Sequence, residues 1–280
     1  MSPARGAAPD APAPRALAVV PARLASTRLP RKMLLRASGR YLFEHTVLGV
    51  RRARTLARVV LATDAEEIAA AAAEVGIEAL RTSAEHASGT DRVFEAYQQL
   101  VARGEGPFDV VLNVQGDEPE VAGESLDPLV RAFADPEVEV ATLCTPLADP
   151  VAARDPSVVK VVLDRQGDAL YFSRAPIPAD APQARAAAGA SYRRHLGVYA
   201  FRPAALAQFC ALPQGRLERL ENLEQLRWLE AGRRMRVLET AEGPTGIDTP
   251  EHYQAFLARE RARQGTNQPT DHPLHARSPA

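Results

Sequence analysis

FDVVLNVQGDEP, residues Phe108–Pro119, reads as a buried strand, Asp109–Val114, running straight into a polar turn. In open α/β sheets ligands lie outside the carboxyl ends of strands, so Gln115, Gly116, Asp117 and Glu118 stand at a candidate site. Gly116 permits an unusual backbone angle or a close ligand approach, and Pro119 stops the strand. Asp117 is therefore presented on a stiff stalk at a turn.

Upstream of this strand, two kinds of periodicity alternate. Leu17–Pro21 is a short apolar run, Tyr41–Arg54 has helical spacing, and Arg58–Thr63 is again strand-like. Thr63-Asp64-Ala65-Glu66 has the capping-box pattern and opens an Ala-rich helix that Gly76 closes. Asp91–Arg103 predicts a further helix, capped by Thr90. Strands and helices in this order predict parallel pairing with right-handed crossovers, hence a Rossmann-like sheet.

Downstream, Val138–Leu143, Val158–Asp164, Asp168–Ser173 and Gly197–Phe201 are strand-like with fewer helices between them, and Asp164–Asp168 reads as a hairpin turn. This half is expected to be mixed or partly antiparallel. A long helix over Leu217–Ala231 follows, then a strand at Met235–Glu239, a Gly-rich turn carrying Asp248, and a closing helix. Residues 1–15 predict a disordered leader, 16–262 a single domain, and 263–280 a disordered polar tail. Within the domain, about 16–135 form the nucleotide-binding half and about 136–240 a smaller part, and the Ala-rich Ala179–Ser191 reads as a surface excursion.

Composition narrows the function. The chain has 280 residues, 46% hydrophobic and 25% charged, with 34 basic against 35 acidic side chains. That balance argues against a nucleic-acid or membrane-surface protein. The two cysteines, Cys144 and Cys210, lack metal-binding spacing and suit a reduced, cytoplasmic compartment. No apolar run approaches the roughly 20 residues that a spanning helix needs.

Three places carry chemistry. In the first, Arg23, Arg28, Arg31 and Lys32 crowd a loop that follows the first strand, with Ser26 and Thr27 as additional donors. Such a loop suits a polyphosphate, although it lacks the glycines of a Walker loop or a dinucleotide fingerprint. The second is Ser88-Gly89-Thr90-Asp91-Arg92, a helix start that favours an anion. Arg92 adds a fork suited to a carboxylate, where the helix dipole alone would disfavour a cation, so it is expected to have a partner. Third, Asp117 and Asp248 each sit in a Gly-containing turn after an apolar strand; brought together, they would hold Mg²⁺. Phosphates on the basic loop and a metal on the aspartates would make a phosphoryl- or nucleotidyl-transfer site.

Seven motifs occur in an order that resembles the 3-deoxy-manno-octulosonate cytidylyltransferases, or CMP-Kdo synthetases. They are Pro21-Ala22-Arg23…Ser26-Thr27-Arg28-Leu29-Pro30…Lys32, His86…Ser88-Gly89-Thr90, Asn113–Pro119, Tyr171–Arg174, Arg194-His195-Leu196-Gly197…Tyr199, Leu223–Arg227 and Asp248-Thr249-Pro250. The resemblance implies an α/β, Rossmann-like nucleotidyltransferase fold, with a mixed, mostly parallel sheet flanked by helices and a smaller sugar-binding and dimerisation subdomain. It implies a cytoplasmic homodimer that uses Mg²⁺ to transfer CMP from CTP to the anomeric 2-hydroxyl of Kdo, for lipopolysaccharide biosynthesis. It also implies residue roles: Arg23, Arg28 and Lys32 on the CTP phosphates with Ser26, Thr27, Ser88 and Gly89 beside them, and Asp117 and Asp248 on the metal. Arg92, Gln115, His195, Tyr199, Glu224 and Gln225 would take the sugar. A related acid sugar, such as sialic acid or amino-Kdo, is the alternative acceptor, and a non-catalytic nucleotide- or sugar-binding homologue the alternative function. Such a homologue should have lost a metal carboxylate or a phosphate cation, and this chain keeps both sets.

One departure stands out. Arg31 takes the place where that family usually has Gly, which requires either a backbone angle that is not glycine-like or a side chain directed to solvent or to the triphosphate. The 41–46 segment also departs from the family's Lys-Pro-Met-Ile pattern.

Overall fold

A computed structural model of the chain describes residues 14–179, 192–241, 243 and 246–266. The expected excursion at Ala179–Ser191 apart from its first residue, nearly all of the leader, and the tail beyond Thr266 lie outside the described residues. Arg15 is already anchored: its backbone N–H donates to Asp109 Oδ2 at 2.8 Å and its guanidinium to the Pro107 carbonyl at 2.9 Å.

The strands are β1 (Ala16–Ala22), β2 (Leu56–Thr63), β3 (Ala79–Arg81), β4 (Val110–Val114), β5 (Val140–Leu147), β6 (Lys160–Leu163), β7 (Ala169–Ser173), β8 (Tyr192–Phe201) and β9 (Arg236–Glu239). The helices are α1 (Leu42–Val50), α2 (Glu66–Glu74), α3 (Gly89–Ala102), α4 (Gly123–Arg131), α5 (Pro150–Arg154), α6 (Pro203–Ala211), α7 (Arg216–Glu221), α8 (Leu226–Glu230) and α9 (Pro250–Thr266).

The main sheet runs β3-β2-β1-β4-β8-β5-β9. The first four strands pair in parallel, as the alternation of strand and helix predicts. β8 is antiparallel to both β4 and β5, while β9 returns parallel to β5. β6 and β7 form an antiparallel hairpin attached to β8 through Lys160 and Arg194, closed by the expected turn at Asp164–Asp168. Both ends of the main sheet are short: β3 has three residues, and β9 is partly covered by backbone bonds to Gly167 and Ala169.

All seven residues of β1 are buried, and their alternation feeds two cores. Ala16, Ala18 and Val20 face Phe43, Val47 and Ile68 of α1 and α2, with Leu126 and Leu129 of α4. Leu17 and Val19 face Val93, Ala96 and Leu100 of α3, and this core continues to Phe209 and Trp228. Helices thus cover both faces of the sheet and leave the carboxyl ends of the parallel strands open.

Several elements depart from the sequence reading. The Leu217–Ala231 helix is two short helices, broken at Asn222 in the left-handed conformation (φ 52). The cause is Arg174, whose Nε and Nη2 donate to the carbonyls of Glu221 and Asn222, which a continuous helix would use internally. A bidentate Arg227–Glu218 pair then staples the two pieces together. The helix after β2 starts later than expected, because Thr63 Oγ1 accepts from Ala65 N at 3.2 Å and makes a turn, not a cap. Helix α3 is capped by Ser88, whose Oγ accepts from Asp91 N while the Asp91 carboxylate accepts from Ser88 N. Thr90, read as the cap, lies inside the first turn. Helices α4 and α6 and the three-residue β3 lie outside the elements expected from the sequence, and α4 carries Pro128 in its interior. Helix α9 continues to Thr266, past the expected domain end at 262.

Candidate active site

A cleft of about 400 Å³ opens at the carboxyl ends of β1 and β4. Its walls include Arg23, Ser26, Thr27, Arg28 and Lys32 from the loop after β1, Ser88, Gly89 and Arg92 from the start of α3, and Gln115, Asp117 and Asp248. Segments far apart in sequence therefore meet at one place, and they are the three places marked by their chemistry.

Their geometry is specific. Lys32 Nζ donates to Asp117 Oδ2 at 2.5 Å, to Asp248 Oδ1 at 2.8 Å and to the Ile247 carbonyl at 3.0 Å. Arg28 Nη2 reaches the other oxygen of Asp248 at 3.0 Å. Burial pushes the Lys32 pKa down, but the two carboxylates outweigh it and hold the ammonium charged, above its ordinary value. For Asp248, burial pushes the other way and the Lys32 and Arg28 charges win, keeping it below the usual carboxylate range.

The turn that carries Asp117 is fixed from several sides. Gly116 N donates to the Pro21 carbonyl at 3.3 Å, Thr46 Oγ1 donates to the Gly116 carbonyl at 2.9 Å, and Ile247 N donates to the Asp117 carbonyl at 2.8 Å. A Cβ at Gly116 would stand 2.9 Å from the Pro21 carbonyl oxygen, so glycine is required by close approach. The last of these bonds also ties the turn after β9 to the turn after β4, which is what brings the two aspartates together.

Asp117 and Asp248 present carboxylate oxygens to one spot, and no group of three or more His, Cys, Asp or Glu side chains that could hold a metal occurs among the described residues. This donor set fits Mg²⁺, which takes a couple of carboxylates and completes its shell with water and phosphate oxygens.

Arg92 does have a partner, within the protein. It is 4% exposed, and it donates to Thr82 Oγ1 at 2.5 Å and the Ser83 carbonyl at 3.3 Å, with Asp64 Oδ2 at 3.5 Å. The other Asp64 oxygen is buried without a hydrogen-bond partner.

His195, Tyr199, Glu224 and Gln225 are not among the walls of the cleft. His195, Tyr199 and Glu224 gather beyond Asn113, where β8 pairs with β4 and sets Tyr199 opposite Asn113, and Gln225 is buried next to Glu224 in the chain. His195 Nε2 lies 3.0 Å from Thr142 Oγ1, and its ring packs edge-on against Phe172 at 4.8 Å. Burial, helped by the Arg194 charge, lowers its pKa to about 3. The His195 ring should therefore not titrate between pH 8 and pH 5, which ring-proton NMR can follow; a midpoint near the ordinary 6.5 would contradict this environment. The unfolded chain takes up the proton that the fold refuses, so this residue makes stability fall as pH drops below 6.5. Burial also raises the Tyr199 phenol well above its usual value. Glu224 Oε1 and Gln225 Nε2, an acceptor and a donor, are buried without hydrogen-bond partners, Oε1 lying 3.9 Å from Arg227 Nη2.

Glu118, placed by the sequence at the candidate site without a role of its own, stands in the same turn as Asp117. Burial first, then the Asp117 charge, raises its pKa to about 8, and its Oε2 has no partner. The apolar β4 run and the kink at Pro119 were the available signal that position 118 turns back into the core.

Arg31 resolves the departure noted above. Its backbone is left-handed (φ 55, ψ 29), the angle glycine favours, and its side chain reaches Glu67 on the surface, away from the aspartates. Arg31→Gly should relieve that backbone conformation and raise Tm by about 2 °C without loss of activity; a lower Tm would mean that the Glu67 pair outweighs the backbone.

Residues 17–236 match the family model described as "Cytidylyltransferase". The chain is 49% identical to the 3-deoxy-manno-octulosonate cytidylyltransferase of Anaeromyxobacter sp. (strain Fw109-5), over 85% of this chain and 93% of that protein. It is 44% identical to the enzyme of the same name from Acidobacterium capsulatum, over 85% and 94%. Among solved structures, CMP:2-keto-3-deoxy-manno-octonic acid synthetase complexed with CTP superposes with a TM-score of 0.81 at 36% identity, covering 89% of this chain and 99% of that one. The 4-diphosphocytidyl-2C-methyl-D-erythritol synthase of Anaerococcus prevotii, at 14% identity and a TM-score of 0.58, shares the fold.

Proposed function

The chain belongs to the 3-deoxy-manno-octulosonate cytidylyltransferases, and from that membership we propose how its cleft transfers CMP from CTP to Kdo, releasing pyrophosphate. The observation that carries the reading is the meeting of Lys32 with Asp117 and Asp248 beside the basic loop.

Arg23, Arg28 and Lys32 neutralise the triphosphate, while Ser26, Thr27 and the N-terminus of α3 at Ser88 and Gly89 supply further donors. Lys32 and Arg28 then exchange carboxylate partners for phosphate oxygens. Asp117 and Asp248 would hold Mg²⁺, which when bound neutralises developing charge on the phosphates and lowers the pKa of a nearby hydroxyl. The sugar lies toward Gln115, with its polar groups met by Tyr199, His195, Glu224 and Gln225; the Glu224 oxygen and Gln225 nitrogen that lack hydrogen bonds suit a polyhydroxylated ligand. Arg92 contributes positive charge toward the sugar carboxylate from its anchored position. The 2-hydroxyl oxygen gives up its proton to solvent and forms a bond to the α-phosphorus, the bond from that phosphorus to the bridging oxygen breaks, and pyrophosphate leaves with the electron pair. Positioning and charge neutralisation supply most of the acceleration in such in-line transfers.

Pyrophosphate release from purified protein with CTP and Mg²⁺ tests this. Release is expected to need both CTP and Kdo. Release with sialic acid in place of Kdo would reassign the acceptor, and no release with any sugar would overturn the catalytic reading.

A further inference from the structure

Thr90 is 2% exposed and is not among the walls of the cleft, yet its hydroxyl joins two groups that are otherwise far apart in sequence. Thr90 Oγ1 donates to Glu224 Oε2 at 2.9 Å and accepts from Asn113 Nδ2 at 3.2 Å. Asn113 Oδ1 in turn accepts from Gln115 Nε2 at 3.1 Å. A hydroxyl has one proton to give, and the carboxylate of Glu224 receives it when ionised. That choice fixes the direction of each bond in the series: Gln115 donates to Asn113, Asn113 to Thr90, and Thr90 to Glu224. The amide of Asn113 cannot turn over without setting its Oδ1 against the Thr90 oxygen and its Nδ2 against Gln115 Nε2. Gln115 is thereby held with its nitrogen toward β4, and Glu224 with Oε2 occupied and Oε1 left as a buried acceptor without a hydrogen bond, 3.9 Å from Arg227 Nη2.

We propose that Thr90 is a positioning residue for the acceptor sugar, orienting Gln115 at the cleft wall and Glu224 beyond it through this one-directional series. The proposal rests on the reading of Glu224 and Gln115 as sugar-facing groups. Its location gives it a further property. Thr90 follows Gly89, a wall of the nucleotide cleft, on the same first turn of α3, so the helix start that meets the nucleotide also sets the acceptor's hydrogen-bonding partners.

Thr90→Val keeps the shape and removes both bonds, leaving the Asn113 donor without this acceptor and Glu224 Oε2 without the bond that orients it toward Asn113. The expected result is a rise in KM for Kdo on the order of tenfold, with KM for CTP within about twofold of the wild type. Thr90→Ser, which keeps the hydroxyl, should restore the wild-type KM for Kdo. Equal effects on both substrates, or an unchanged KM for Kdo in Thr90→Val, would overturn the proposal. Thr90→Ala is a second variant in case the valine protein does not fold, and it is judged by the same two KM values. If the wild type releases no pyrophosphate with Kdo, the functional reading has failed. If the wild type is active and Thr90→Val matches it, this proposal has failed alone.

Discussion

Asp117→Asn should leave a folded protein whose turnover is lower by a factor on the order of 10³ or more. Asparagine has the shape of aspartate, and the bonds that fix this turn use the backbone of Gly116 and Asp117 together with Thr46, so the substitution leaves the architecture in place. What disappears is one of two negative charges directed at the same spot. Asp248 keeps Lys32 and Arg28 as partners, so the cations do not scatter. The remaining carboxylate would then have to hold the metal and oppose two cations by itself. Stopped-time pyrophosphate release gives the rate, and a melting curve confirms the fold. A folded variant with near wild-type kcat would remove Asp117 from the metal role. A variant that melts far below the wild type would mean that the Lys32 pairing is structural first.

Lys160→Met should lower stability by roughly 2–4 kcal/mol. Lys160 is 0% exposed, and its ammonium donates to the carbonyls of Asp155 at 3.0 Å, Val158 at 2.5 Å and Arg174 at 2.5 Å. Burial holds its pKa below the ordinary lysine value, a cost the fold accepts because the three carbonyls come from the end of α5, the approach to β6 and the exit from β7. One side chain thus closes the base of the β6–β7 hairpin. Methionine fills the space but takes the ammonium donor from the carbonyls of Val158 and Arg174, while the Asp155 carbonyl keeps its bond from Val158 N at 3.1 Å. The shift in guanidinium midpoint measures the loss; a change below about 1 kcal/mol would mean that water takes over the ammonium's role.

The parallel half of the fold was legible because its strands are continuous apolar runs and its helices are long enough to show a period. The antiparallel half was less so. β8 begins at Tyr192 in a segment of Arg and His that has no strand pattern of its own, and pairing with β5 makes it a strand. The break at Asn222 is imposed by Arg174, forty-odd residues away in sequence. For the site, charged residue types on loops after buried strands were enough to mark Lys32, Asp117 and Asp248. Their convergence depends on the Ile247-to-Asp117 backbone bond, which no local pattern encodes. Thr90 shows the opposite case: its type and position suggested a cap, while Ser88, two residues earlier, takes that task and frees the Thr90 hydroxyl for Glu224.

The two ends of the main sheet bear on how the protein behaves in a crowded solution. An open sheet edge is a template on which strands of another molecule can add, the commonest route from sheet proteins to aggregates. Here β3 offers only Ala79–Arg81, ending in an arginine, and β9 begins with an arginine, ends with a glutamate and is partly masked by the turn at Gly167. Neither end is a good template, so two copies that associate at these ends must do so through side chains, and high concentration should not by itself turn this sheet into the seed of a fibre.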